Sequence, residues 1–385
     1  MTSDPAIRLL RELVAINSIN PALVPGAPGE AEMARAIADE MRSIGLDVEM
    51  QDAAPGRPNA IGVLEGRQAG RTLILCGHLD TVGVDEMPRP FEPIERDGRL
   101  YGRGAQDMKG GLAAIVSAAR VLVEHGGLAA GRLVIAGVAD EEHSSLGADE
   151  LARSWRADAA VIAESTDLAI AVAHKGFCWL DVEVLGARAH GSRPHEGVDA
   201  ILRMGRVLRR LEALDRDLQE RPPHRLLGTA SLHASIIEGG RELSSYPERA
   251  TLKMERRTLP GEADSLPLDE VTAILEALRR EDPGFSAAAR VLLGRAAYEL
   301  PDDNEVARLL ADALRRTAIP VKIAGATFWA DSAILGAAGI PSVLFGPGGG
   351  GLHSSEEYVR TDDVLMCRDA LAEFAMMFCG SRPAA

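Results

Sequence analysis

Short apolar runs in this chain repeatedly end in a histidine or a carboxylate. Leu73-Ile74-Leu75-Cys76 leads into Gly77-His78-Leu79-Asp80, and Leu133-Val134-Ile135-Ala136-Gly137-Val138 into Asp140-Glu141-Glu142-His143. Ala160-Val161-Ile162-Ala163 stops at Glu164, and Ser342-Val343-Leu344-Phe345 reaches His353 through a glycine-rich loop. In open α/β sheets the site lies beyond the carboxyl ends of the strands. These strand ends therefore deliver His, Asp and Glu to one rim, and the fold must let the strands share it. A further candidate, Asp107, sits in Gly102-Arg103-Gly104-Ala105-Gln106-Asp107-Met108-Lys109-Gly110, a loop that opens a helix.

The flanking pattern agrees with such a sheet. Helical periodicity covers about residues 6–16 and 30–44, with Met33, Ile37, Met41 and Ile44 on one face. An apolar helix is expected over about 108–125, ended by Gly126-Gly127. The helix–strand rhythm resumes near the C-terminus, with helices near 304–317, 331–339 and 361–378. Residues 177–184 alternate apolar and polar instead, as a half-buried antiparallel strand does. A helix near 197–214, strands near 231–237 and 251–257, a helix near 269–280 and a strand near 288–293 follow. The order β-α-β-β-α-β predicts a ferredoxin-like α+β domain. The expected fold class is α/β: a mixed-sheet domain at 1–175 and 295–385, interrupted by an inserted domain at 176–294.

Composition excludes some partners. Net charge is −15, from 57 acidic against 42 basic residues, which argues against nucleic acid or an anionic membrane surface. Cys76, Cys178, Cys367 and Cys379 show no CxxC spacing and read as buried thiols in a reducing compartment. Cys76 lies two residues before His78; core packing is the preferred reading and a soft ligand the other. No basic n-region precedes the first amphipathic segment, and no apolar run is long enough to span a bilayer. A cytoplasmic location is the expectation.

The chemistry follows from the residue types. A dinuclear hydrolase needs a carboxylate bridging two metals, terminal His or Glu ligands, and open coordination for water. His78, Asp107, Glu142, Glu164 and His353 are the candidates. Imidazole with carboxylate favours zinc or a similar borderline metal over magnesium. Asp80, two residues after His78, is placed to accept its imidazole N–H. The pair Glu141-Glu142 offers one carboxylate for metal and one for a general base. Taken singly, His-x-Asp arises by chance and Asp-Glu-Glu is usually a solvated loop. Gly102-x-Gly104 before a helix hints at dinucleotide binding, but Asp107 stands where the third glycine belongs and no clear strand feeds the loop. The coincidence of compatible ligands at so many strand ends outweighs these readings.

These segments carry a family resemblance. Gly77-His78-Leu79-Asp80-Thr81-Val82, Tyr101 through Gly111, Asp140-Glu141-Glu142, Glu164 and Gly351-Leu352-His353-Ser354 resemble the M20 metallopeptidase family. That group contains acetylornithine deacetylases, succinyl-diaminopimelate desuccinylases, aminoacylases and glutamate carboxypeptidases. The resemblance implies a catalytic domain with two divalent ions (zinc, with cobalt or manganese as alternatives) and an inserted lid domain that mediates homodimerisation. It gives Asp107 the bridging role, His78 and Glu164 one metal, and Glu142 and His353 the other. Glu141 matches the general base and Asp80 the residue that orients His78. His190, in Ala189-His190-Gly191-Ser192, resembles a histidine that stabilises the oxyanion, commonly in the partner's active site. Arg257 resembles an arginine for the substrate carboxylate, though the adjacent Arg256 is not separated from it by sequence. Two positions depart from the pattern: Leu79 replaces a common threonine, and Ser244 stands nearest to a substrate-holding asparagine.

The function these features imply is hydrolysis of the amide bond of N-acyl amino acids, in the manner of acetylornithine deacetylase, by a metal-bound hydroxide with Glu141 as general base. A metallo-exopeptidase, cleaving dipeptides or C-terminal residues, is the alternative. A metal-binding protein without turnover is a third reading, and the intact Glu141 argues against it.

Overall fold

The computed structural model describes residues 4–380. Two helices, Pro5–Val14 and Ala31–Ser43, precede a hairpin of β1 (Asp47–Ala54) and β2 (Arg57–Glu65). Then come β3 (Thr72–His78), the short strands β4 (Ile94–Arg96) and β5 (Arg99–Tyr101), and the loop carrying Asp107. The helix Gly110–Glu124 leads to β6 (Arg132–Val138), the helix Leu146–Ser154, β7 (Ala159–Ile162) and β8 (Ile170–His174). The middle contains β9 (Gly176–Leu185), helix Ala200–Glu220, β10 (Ser231–Gly239), β11 (Arg249–Thr258), helix Leu266–Glu281, β12 (Ser286–Arg295) and β13 (Tyr298–Glu299). Helix Glu305–Arg316, β14 (Ile323–Ala326), helix Ser332–Ala337, β15 (Ser342–Leu344), β16 (Gly349–Gly350), β17 (Tyr358–Arg360) and helix Thr361–Gly380 complete the chain.

The described chain separates into two compact units. The first takes the chain up to Val172, Leu300–Ala324 and the chain from Ala330 onward. Its large sheet has the order β1-β2-β6-β3-β7-β15-β8. β6, β3, β7 and β15 run parallel to one another. β2 joins β6 and β8 joins β15 in antiparallel fashion, so the sheet is mixed. The parallel strands are the apolar runs, and β7 and β15 are buried throughout, as strands covered on both faces must be. The helix Gly110–Glu124 is apolar nearly all round because it lies between β3, β6 and the helix Thr361–Gly380. Its start is pressed against the end of β7: a Cβ on Gly111 would run into the Ala163 carbonyl. A second, small sheet has the order β16-β17-β5-β4. β5 is thus a strand that does feed the Asp107 loop; with three residues it is too short to show as a period in the sequence.

The second unit comprises Ala173–Glu299 and Gly325–Trp329. Its antiparallel sheet has the order β10-β11-β9-β12. Leu180, Val182 and Val184 of β9 face the apolar sides of helices Ala200–Glu220 and Leu266–Glu281, through Met204, Val207, Leu211, Val271, Leu275 and Leu278. The helix after β9 begins at Ala200 rather than near residue 197, because the Asp199 side chain accepts the Leu202 N–H at 2.9 Å and caps it.

Candidate metal centre

Every predicted ligand lies in the first unit, where main-chain geometry aims the side chains. His78 is the last residue of β3, and Glu164 follows β7 by two residues. After β6 the chain turns sharply at Asp140, whose φ is 72°. A non-glycine residue tolerates that conformation best when its side chain bonds locally, and the Asp140 carboxylate accepts the Ser144 N–H at 3.2 Å. The turn presents Glu141 and Glu142 to the rim. His353, with φ 57°, stands in the loop between β16 and β17.

The arrangement is tight. His78 Nε2 is 2.9 Å from Asp107 Oδ1, and His353 Nε2 is 3.2 Å from Asp107 Oδ2. The two oxygens of Asp107 thus face two different imidazoles. Glu142 Oε2 lies 3.5 Å from His353 Nε2, and Glu164 Oε1 lies 4.0 Å from His78 Nε2. Ligand atoms of His78, Glu141 and Glu164 fall within 4.8 Å of one another, as do those of His78, Asp107 and Glu142.

Charge is crowded here. Burial pushes the Glu164 carboxyl up to about 8, with Asp107, Asp331 and Glu142 adding to the push and His78 opposing it. Burial likewise raises Glu141 well above the carboxylate range, and it raises Glu142, where nearby Asp107 adds to the effect. Burial also works against an ionised Asp107, but hydrogen bonds from His353 and His78 overcome it and hold that carboxyl low. The same bonds to Asp107 and Glu142 lift His353 to about 10. Like charges about 4 Å apart repel by about 4 kcal/mol at an effective dielectric near 20, so such a cluster calls for cations. Glu142 Oε1 is buried without a hydrogen-bond partner, an acceptor aimed at nothing in the protein. Two imidazoles, a carboxylate with divergent oxygens and further carboxylates on either side fit a pair of divalent cations. Cys76 is no part of the set: it is fully buried, and burial raises its thiol far above the usual range.

Asp80 does something other than expected. His78 Nδ1 meets the Asp80 main-chain carbonyl at 3.0 Å, while the carboxylate is 3.6 Å away. That carboxylate instead accepts the N–H groups of Glu141 and Glu142, both at 3.1 Å. It also accepts Asn20 Nδ2 at 2.7 Å. Asn20 reaches Asp140 at 3.0 Å, and Arg57 bonds Asp140 at 2.8 Å and Glu30 at 2.6 Å. Sequence reading missed Asn20, Arg57 and Glu30, and gave Asp140 no role. Only Asp140 carried a signal, its place beside the Glu pair.

The remaining candidates lie in the second unit. His190 is exposed, with Nδ1 2.8 Å from Ser192 Oγ. Its segment pairs with that of Ser244: the Gly191 N–H donates to the Ser244 carbonyl at 2.7 Å. Arg257 sits elsewhere, opposite Phe177 on β9. From Arg249, the end of β11 next to the Ser244 loop, Arg257 is about 27 Å along the strand. Arg256 is buried, held by Glu270 at 3.0 Å and Glu262 at 3.0 Å. Arg257 is partly exposed, bonds Glu255 at 2.7 Å and lies 5.7 Å from the Phe177 ring centre.

Donors fit for divalent metal, from buried His78 and Glu164 to exposed His353, cluster on the rim of a mixed α/β sheet, the arrangement of a metallohydrolase. The chain belongs to peptidase family M20/M25/M40, whose family model matches residues 74–377. It is a hydrolase of this peptidase and amidohydrolase group. It is 33% identical over 399 aligned positions to an acetylornithine deacetylase of Myxococcus xanthus, covering 98% of this chain and 99% of that one. With an acetylornithine deacetylase of Photorhabdus laumondii it shares 29% identity, covering 97% of each. The fold matches a tripeptidase from Staphylococcus aureus with TM-score 0.83, at 22% identity and 98% of each chain. It also matches a dinuclear metal-binding peptidase of the M20 family from Bacillus subtilis with TM-score 0.73, at 16% identity and 97% of each chain.

Proposed function

We propose that the protein is a dinuclear metal-dependent deacylase that hydrolyses the amide bond of N-acyl amino acids. The observation that carries this reading is Asp107, whose two oxygens face His78 and His353 separately. His78 and Glu164 would hold one cation, Glu142 and His353 the other, with Asp107 between them. Two divalent ions there, zinc with cobalt or manganese as alternatives, would polarise an amide carbonyl and acidify water.

The protein's own groups divide the rest of the work. Asp80 holds the Glu141-Glu142 main chain, so the direction of Glu141 is set before substrate arrives. Glu141 takes the proton from water as its oxygen adds to the amide carbon, and returns it to the nitrogen as the C–N bond breaks. His190 donates to the oxyanion of the adduct. Arg257 receives the substrate carboxylate with Ser244 as a further contact; Arg256 is spent on Glu262 and Glu270. His190 and Arg257 stand at opposite ends of one sheet, much farther apart than a small substrate reaches. That separation supports a homodimer through the second unit, in which His190 serves the partner's substrate. The relatives' name supports an N-acetyl amino acid, and the four buried thiols support a cytoplasmic, reducing setting.

The test is a substrate panel: N-acetyl-L-ornithine, other N-acyl amino acids and small dipeptides, with metal-loaded and chelated protein. Metal-dependent cleavage of the acyl amino acids is the expected result. Cleavage of dipeptides alone would replace this reading with an exopeptidase.

A further inference from the structure

Glu357 follows His353 by four residues and immediately precedes β17; it is 1% exposed. Each of its oxygens has two partners. Oε2 accepts Arg103 Nη1 at 2.6 Å and the Gly104 N–H at 3.0 Å. Oε1 accepts the N–H groups of Gln106 at 2.9 Å and Asp107 at 3.1 Å. The Asp107 loop is therefore wrapped around one carboxylate, an anion nest made of the main-chain amides of Gly104, Gln106 and Asp107. Gly104 makes the curl possible: its φ is 77°, and a Cβ there would come within 2.6 Å of Thr81 and 2.9 Å of Lys109.

Burying a carboxylate is costly unless its charge and lone pairs are met. Here they are met by the loop that carries Asp107, and Arg103, itself 1% exposed, also points Nη2 at the His353 carbonyl 3.5 Å away. The Gly102 N–H closes the arrangement on the Glu357 carbonyl at 3.3 Å. Two ligand-bearing loops are thus clasped by one side chain. Asp80 treats the Glu141-Glu142 turn the same way, by gripping main-chain amides rather than side chains.

We infer that Glu357 is a positioning residue of the metal centre: it fixes the Asp107 main chain relative to His353 so that the two Asp107 oxygens face separate cations. The inference rests on the metal-centre reading above. Glu357→Gln keeps the size but leaves one acceptor oxygen for donors on two sides, and Glu357→Asp keeps the charge but shortens the reach.

The test measures binding of zinc to the metal-stripped full chain against a competing chelator, and records the absorption of the cobalt-loaded form. Thermal melts of the metal-free proteins run alongside. Glu357→Gln is expected to weaken zinc binding about 10–100-fold with an altered cobalt spectrum, and to lower the melt because buried Arg103 loses its carboxylate. Glu357→Asp should fall between it and the parent and covers the case in which Glu357→Gln does not fold. Saturating metal should restore much of kcat with KM unchanged. Parental zinc affinity and cobalt spectrum in both variants would overturn the inference, as would a lowered melt with both metal readouts unchanged. Asp107→Ala is the control: if it still binds two equivalents, the metal-centre reading itself has failed.

Discussion

The two units place their chemistry by different means. In the first, parallel strands end together, and the donors on those ends converge without help from long loops. His78, Glu142 and Glu164 come from three neighbouring strands of one sheet, β3, β6 and β7, and their positions are held by buried main chain. In the second, an antiparallel sheet sends its ends in opposite directions. His190 and Ser244 gather at one end and Arg257 at the other. A parallel sheet builds a centre from within; an antiparallel one presents separate groups that need something else to unite them.

The largest effect should come from the first unit. Glu141→Gln should lower kcat about 10²–10⁴-fold while metal content stays at the parental level. Undiminished turnover would remove Glu141 as the base, and lost metal would make it a ligand. His190→Ala sharpens the contrast, because on the proposed mechanism His190 is the second unit's oxyanion donor. A fall of about 10²–10³-fold in kcat is expected with zinc affinity unchanged. Mixing inactive Glu141→Gln and His190→Ala chains should recover activity in mixed dimers; no recovery would sink the exchange of His190 between partners.

The arginine pair splits binding from folding. Arg257→Ala should reduce kcat/KM about 10–100-fold, mostly through KM, with an unchanged urea midpoint. Arg256→Met should do the opposite, costing about 3 kcal/mol of stability by breaking the buried pairs with Glu262 and Glu270. Equal kinetic effects from both would end the assignment of Arg257.

Smallest is a pH effect confined to the second unit. Burial pushes His174 down to about 4, against its bond to the Lys175 carbonyl, and Nε2 is buried without a partner. An unfolded histidine titrates near 6.5. Between these values the unfolded chain binds a proton that the folded chain refuses. Stability is therefore full above about pH 6.5 and is lost as pH falls toward 4, by under about 1 kcal/mol between pH 7 and 6. Urea midpoints of the parent should fall faster with acid than those of His174→Gln; parallel slopes would discount the residue.

The contrast also decides what could be read from sequence. β3, β6, β7 and β15 were legible because burial on both faces demands unbroken apolar runs, and the ligands are contiguous with them. β1 was not: Asp47-Val48-Glu49-Met50-Gln51-Asp52 is a largely exposed edge, with too few apolar residues to declare a strand. β8 is a five-residue run with no motif attached. The metal donors were visible as motifs, but their supports were not. Arg57 meets Asp140, and Glu357 meets Asp107, across long stretches of chain, and no local period announces such a pairing. Asp80 was found for its nearness to His78, yet its carboxylate turned to amides across the sheet because β3 and β6 end side by side.

The central claim is that the first unit's rim holds two cations astride Asp107. Anomalous diffraction at the zinc edge from crystals of the zinc-loaded full chain tests it most directly. Two peaks are expected, one shared by Asp107 with His78 and Glu164, the other by Asp107 with Glu142 and His353. A single peak, or two peaks that leave Asp107 on only one of them, would contradict it.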